Sequence, residues 1–127
     1  YIKDNKLSNH VFLYGSCDDT QFILEQATIG VLSSKSEGLP VALLEYGLAK
    51  LPVVVTNVGE CSKVVTHGIT GLVVAPNNEY ELAKGLIKLI NDKTNSIAFG
   101  EKLYNEIQLN YAKNNYIKKL LSIYKSE

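Results

Sequence analysis

The sequence predicts an α/β fold, a doubly wound parallel sheet followed by an all-helical C-terminal end. Three observations lead there. The short runs "IGVLS" (Ile29 to Ser33) and "PVVVT" (Pro52 to Thr56) are apolar almost throughout rather than alternating, the pattern of strands buried on both faces. Segments with helical spacing lie between such runs, which gives parallel strands their crossover connections. The length, 127 residues, suits one domain spanning 1–127, and no repeat or low-complexity linker divides it.

Taken in order, "VFLY" (Val11 to Tyr14) reads as a strand ended by Gly15. "DTQFILEQA" reads as a helix with Asp18 or Asp19 at its N-cap. After the run at 29–33, "PVALLEYGLAK" is a helix opened by Pro40 at its first position, where a missing N–H does no harm. Val41, Leu44 and Leu48 mark its apolar stripe. "PVVVT" is the clearest strand, because β-branched side chains suit a pleated, buried surface. "GECSKVVTHG" is a short helix or turn stopped by Gly68, and "GLVVAP" is a strand closed by Pro76. The last helices occupy about 78–125. Asn78 caps the first, whose Leu82, Leu86, Leu89 and Ile90 recur at helical spacing. A second runs through Leu103 and Ile107 to Tyr111, and a third carries Ile117, Leu120, Leu121 and Tyr124.

Composition narrows the function. Net charge is zero, so bulk electrostatics gives no attraction to nucleic acid. Lys113, Lys118, Lys119 and Lys125 cluster near the C-terminus and read as a solvated helix face rather than an anionic-surface contact. Cys17 and Cys61 lack metal-ligand spacing and read as free thiols of a reducing compartment. The apolar runs are too short to cross a membrane. A chain with no methionine that opens "YIKDNK" is expected to be a piece of a longer protein.

In open α/β sheets, ligands sit beyond the carboxyl ends of the strands. That rule selects the loops after Tyr14, Ser33 and Thr56. The middle one, "SSKSEGLP", carries the most chemistry. Gly38 lets backbone approach a ligand closely, and the first-turn N–H groups of the following helix form an anion site suited to a phosphate or diphosphate. The same composition also occurs in ordinary α/β loops. Glu37 would repel a bare phosphate. It is either an acceptor for sugar hydroxyls or a carboxylate that merely favours a helix N-terminus. Glu45 borders the apolar stripe. It is either open to a polar ligand, such as the vicinal hydroxyls of a ribose, or an exposed glutamate at the stripe's margin.

"EGLPVALLE" resembles the E-x7-E element of retaining GT-B glycosyltransferases, especially the family 4 group. "VFLYGS", "IGVLSS", "LPVVVTNVGE" and "VVTHGITGLVVAPNN" resemble that family's other segments in order and spacing, from about Leu7 to Tyr124. The resemblance implies a Rossmann-like GT-B C-terminal domain that binds a nucleotide-diphosphate sugar. Glu37 would contact the donor sugar and orient it, which makes it the catalytic candidate, though not a nucleophile. The backbone around Gly38, Leu39, Pro40 and Val41 would cradle the diphosphate. Glu45 would bind the ribose, and Gly15 and Ser16 would line the base. No metal or other cofactor is implied.

Two departures stand out. Glu60 occupies a position where the family often has a second glycine. The family's basic phosphate-binding pair lies on an earlier segment without counterpart here, and Lys35 does not match its position. In the family's strand order, 3-2-1-4-5-6, the present strands correspond to the third through sixth. The implied function is transfer of a hexose to an acceptor hydroxyl with retention of configuration, performed by a longer chain that also has an N-terminal acceptor-binding domain. The 127 residues alone are expected to be inactive. The expected location is the cytoplasm, with peripheral membrane contact by the longer chain as an open possibility. The alternatives are a non-catalytic nucleotide-sugar or phosphate-binding module, or a structural partner domain.

Overall fold

The computed structural model describes residues 2–13, 15, 19–111, 113, 118–119 and 122–123. Its centre is a parallel sheet of three strands, β1 (Gly30–Leu32), β2 (Val53–Thr56) and β3 (Leu72–Val74), in the order β1-β2-β3. Gly30 lies opposite Val53, Leu32 opposite Val55, Val54 opposite Leu72 and Thr56 opposite Val74. The helices are α1 (Thr20–Gln26), α2 (Val41–Leu48), α3 (Cys61–Val64), α4 (Glu79–Asn91) and α5 (Lys93–Tyr111).

The sheet is covered on both faces, and strand alternation decides which residue meets which cover. Val53 and Val55 pack with Leu43, Leu44 and Leu48 of α2 and with Leu103 and Ile107 of α5. Val54 points the other way, toward Leu72, Val74 and Leu89, with Leu82 and Leu86 of α4 against them. All four residues of β2 are buried, which accounts for its continuous apolar sequence. On the first face α2 and α5 approach closely at Gly47, where a Cβ would overlap the Ile107 side chain.

Helix ends follow local chemistry. The Asn78 side chain accepts the Glu81 N–H at 3.0 Å, the cap read from the sequence. Helix α2 ends in a Schellman turn. The Lys50 N–H donates to the Gly47 carbonyl at 3.0 Å, and the Leu51 N–H donates to the Tyr46 carbonyl at 3.1 Å. Lys50 occupies the left-handed position there, φ 60°. At the outer edge of the sheet, the Val73 N–H donates to His67 Nδ1 at 3.0 Å.

Several expectations are corrected. Val11 to Leu13 form no strand; Tyr14 lies outside the described residues. A strand exists through its ladder, and these residues instead follow a turn in which the Val11 N–H donates to the Leu7 carbonyl at 2.8 Å. They are exposed, Leu13 by 84%. The described sheet therefore holds the strands assigned as fourth to sixth, and not the third. Pro40 is the N-cap of α2 rather than its first helical residue. Asp19 caps α1 by position, without a side-chain hydrogen bond. Val41 lies outside the apolar stripe, which is Leu43, Leu44, Gly47 and Leu48, and Ile90 of α4 faces outward. Lys113, Lys118 and Lys119 are exposed, as a solvated face requires, while Lys125 lies outside the described residues. Residues 118–119 and 122–123 are helical, but Ile117, Leu120, Leu121 and Tyr124 of the third helix also lie outside them.

Candidate functional site

The carboxyl ends of β1 and β2 each feed a loop, and the two loops are tied together. Thr56, the last residue of β2, is buried, so its hydroxyl needs a partner. It donates to the Ser34 carbonyl at 2.6 Å, with the Leu32 carbonyl at 3.4 Å. Farther along, the Glu60 N–H donates to the Gly38 carbonyl at 3.3 Å. Gly59 sits between these bonds in left-handed backbone, φ 52°, and a Cβ there would overlap the Glu37 carbonyl oxygen. Glu60 has an ordinary φ of −94° as the N-cap of α3, so its turn needs no second glycine. Its carboxylate makes an exposed ion pair with Lys63 at 3.7 Å.

On this platform Glu37 is half-buried, and its Oε1 accepts the Ser34 hydroxyl at 2.6 Å, within the range of a charge-assisted bond. A carboxylate offers about four lone-pair sites. One bond from Ser34 therefore leaves acceptor capacity for ligand hydroxyls. Gly38 is exposed, with open space around it; Leu39 is half-buried and Pro40 is buried at the helix entrance. The Leu43 and Leu44 N–H groups donate to the Pro40 carbonyl at 3.0 and 3.3 Å, which leaves the N–H groups of Val41 and Ala42 as the first-turn donors of α2 without an acceptor in the helix. Val41 is exposed, and Glu45, one turn later on the same side, is half-buried. The stretch from Glu37 to Glu45 thus carries, in order, a half-buried carboxylate, a helix N-terminus and a second half-buried carboxylate.

Neighbouring ionisable groups respond to these carboxylates. Burial pushes the Tyr46 phenol up, and the Glu45 charge adds to it. The Tyr46 hydroxyl donates to the Val31 carbonyl at 3.3 Å, tying α2 to β1. Burial likewise raises the Cys61 thiol, with a further push from Glu37 and a lowering bond from the Val58 backbone. Cys61 is free and buried beneath the loop, and Cys17 lies outside the described residues.

Gly15 is exposed in left-handed backbone, φ 68°, and Ser16 lies outside the described residues. Lys35 lines a hollow of about 310 Å³ with Ser33, Thr56, Asn77 and Asn78, near the start of α4. Ser34, Thr56 and Gly59 were not singled out from the sequence. Their only signals were a hydroxyl ending each strand-loop junction and a glycine two residues after Asn57. No helix among the described residues is long and apolar enough to cross a membrane.

Comparison with known proteins adds independent findings. The profile of the family described as "Glycosyl transferases group 1" matches residues 1–108. An uncharacterized glycosyltransferase of Methanocaldococcus jannaschii is 30% identical over 103 residues, covering 80% of this chain and 29% of that protein. The poly(ribitol-phosphate) alpha-N-acetylglucosaminyltransferase of Staphylococcus aureus is 26% identical over 126 residues, covering 98% of this chain and 26% of that protein. Among solved structures, S. aureus TarM in complex with UDP superposes with a TM-score of 0.83 at 26% identity, over 97% of this chain and 25% of that one. The C-terminal domain of a group 1 glycosyl transferase from Francisella tularensis has the same fold, with a TM-score of 0.77 at 23% identity, over 87% of this chain and 58% of that one. The chain spans less than a third of the length of these curated relatives.

Proposed function

Because the chain belongs to the glycosyl transferases group 1 family, we propose that it is the donor-binding part of a glycosyltransferase that uses a nucleotide-diphosphate sugar. The observation that carries this reading is the segment Glu37–Glu45, in which two half-buried carboxylates stand before and after the N-terminus of α2. The three parts of the donor pair with it by chemistry. Hydroxyls of a hexose donate to Glu37. The diphosphate lies at the first turn of α2, against the N–H groups of Gly38, Leu39 and Val41 and the positive end of the helix dipole. Pro40 has no N–H and shapes the entrance. The ribose hydroxyls donate to Glu45, and Gly15 and Ser16 line the base.

In the reaction, the departing diphosphate gains negative charge as the glycosidic bond breaks. Donors already aimed at it from a fixed helix end stabilise that charge without reorganising. Glu37 holds the sugar for attack by an acceptor hydroxyl, with retention at the anomeric carbon. The described surface is one wall of such a site. The other wall and the acceptor belong to an N-terminal domain, in line with the small share of its relatives that this chain spans. The basic pair that would help neutralise the diphosphate belongs to a segment outside these residues. The 127 residues by themselves bind donor and do not turn it over. We place the longer chain in the cytoplasm, where a nucleotide-diphosphate sugar donor would be met.

Calorimetric titration with UDP, GDP and their hexose conjugates tests this reading. Binding by the wild-type chain that weakens at least about tenfold in Glu45→Ala, the loss of bonds to a charged acceptor, is expected. Absence of heat with every nucleotide would favour the structural-partner alternative.

A further inference from the structure

We infer that the end of β2 is the positioning element for Glu37, with Thr56, Ser34 and Gly59 as positioning residues. This rests on the reading of Glu37 as the sugar-facing carboxylate. Thr56 is only 4% exposed, and the short bond of its hydroxyl, 2.6 Å, goes to the Ser34 carbonyl in the neighbouring loop. Ser34 passes the constraint on: its own hydroxyl donates at 2.6 Å to Glu37 Oε1. Two hydrogen bonds in series therefore connect the most buried strand of the sheet to the carboxylate. A glutamate in a loop otherwise samples many rotamers, and holding one is an entropic cost that this chain of bonds meets before any ligand arrives.

The backbone of Glu37 is fixed from the other side. Gly59 packs so closely under the Glu37 carbonyl that no side chain fits between them. The Glu60 N–H then holds the next carbonyl, that of Gly38, at 3.3 Å. Both bonded carbonyls, Ser34 and Gly38, flank Glu37, so its loop is gripped before and after the carboxylate. The Thr56 and Ser34 hydroxyls thereby set where the sugar-facing oxygen atoms lie through bonds that end on the Ser34 carbonyl and on Glu37 itself.

A positioning role separates two ligands that a purely structural role would not. Glu37 meets only the sugar, so loosening it penalises the nucleotide sugar and spares the nucleoside diphosphate. The test is calorimetry on the full chain with UDP- and GDP-hexoses against UDP and GDP, for wild type, Ser34→Ala, Thr56→Val and Thr56→Ser. In Ser34→Ala and Thr56→Val the nucleotide sugar is expected to weaken about fivefold to tenfold, with the nucleoside diphosphate within about twofold of wild type. Thr56→Ser, which keeps the hydroxyl, is expected to restore the wild-type pattern. Equal weakening of both ligands, or of neither, overturns the inference while leaving donor binding intact. A wild-type chain that binds none of these ligands overturns the donor-site reading itself, and this inference with it. Ser34→Ala, in a loop, decides the matter even if Thr56→Val fails to fold.

Discussion

The two ends of the sheet are built from the same three strands but by different means. At the carboxyl end, side-chain hydroxyls and backbone groups are spent on tying loops together, Thr56 to Ser34, Ser34 to Glu37, Glu60 to Gly38. At the amino end a hollow of about 430 Å³ is lined by apolar Ile29, Leu51, Pro52 and Leu89 together with Lys50 and Glu101, and the chain leaves α2 through a Schellman turn. One end fixes polar groups at chosen places while leaving them accessible. The other combines apolar packing with the bonds of one helix terminus and a half-exposed ion pair between Lys50 and Glu101. The contrast lies in where the hydrogen bonds go, between two loops at the carboxyl end and within one helix terminus at the amino end.

The contrast can be broken most directly at Gly59. Gly59→Val places a β-branched residue at φ 52° against the Glu37 carbonyl and is expected to destabilise the fold by about 2–4 kcal/mol in urea unfolding. Gly38→Ala, one loop away with open space around it, is expected to change stability by no more than about 0.5 kcal/mol. Equal costs at the two glycines would mean that the gripping of Glu37 is not special.

A second expectation concerns pH. Tyr46 is raised above 10.0 by burial and then by Glu45, and Tyr111 by burial and then by Glu60. In the unfolded chain these phenols ionise first, near the ordinary value. Their contribution to stability is therefore complete below about pH 10 and is lost as pH rises through the higher folded values. Denaturant unfolding from pH 8 to 11.5 is expected to show this loss, and Tyr46→Phe to make it shallower. The effect sharpens the comparison because both added pushes come from carboxylates of the site surface and its adjoining turn.

The smallest effect belongs to the amino end. Lys50 pays for left-handed backbone, but its ammonium lies 4.9 Å from the centre of the Tyr104 ring and 3.7 Å from Glu101 in a half-exposed pair. Lys50→Ala loses these contacts and keeps the backbone cost. Lys50→Gly loses the contacts and removes the cost. The glycine variant is expected to be more stable than the alanine variant by about 1 kcal/mol by thermal unfolding, with nucleotide binding the same in both.

These results also show what was readable beforehand. The valines of β2 and the Asn78 cap were legible because each depends on local sequence, a buried strand on composition and a cap on one side chain three residues from its donor. The strand expected at Val11 was not, since "VFLY" has the composition of a strand but ladder partners are remote in sequence. Val41 was misplaced for a related reason. Spacing alone defines a helical face only up to rotation, and Leu43 with Gly47, through its contact at Ile107, decides which face turns inward. Glu37 and Glu45 could be picked out by residue type and order. Thr56, Ser34 and Gly59 could not, because their roles arise where two loops meet. The Schellman turn was hidden by having lysine where glycine is usual.

The bond from the Val73 N–H to His67 Nδ1 has a consequence for assembly. That N–H points away from β2, on the side where a fourth strand would add, and a parallel or antiparallel newcomer would need it as a ladder donor. With the imidazole lone pair already in that slot, further strand growth must first evict a side chain. The sheet's outer margin is in this way blunted against fibril-like stacking of one molecule on the next.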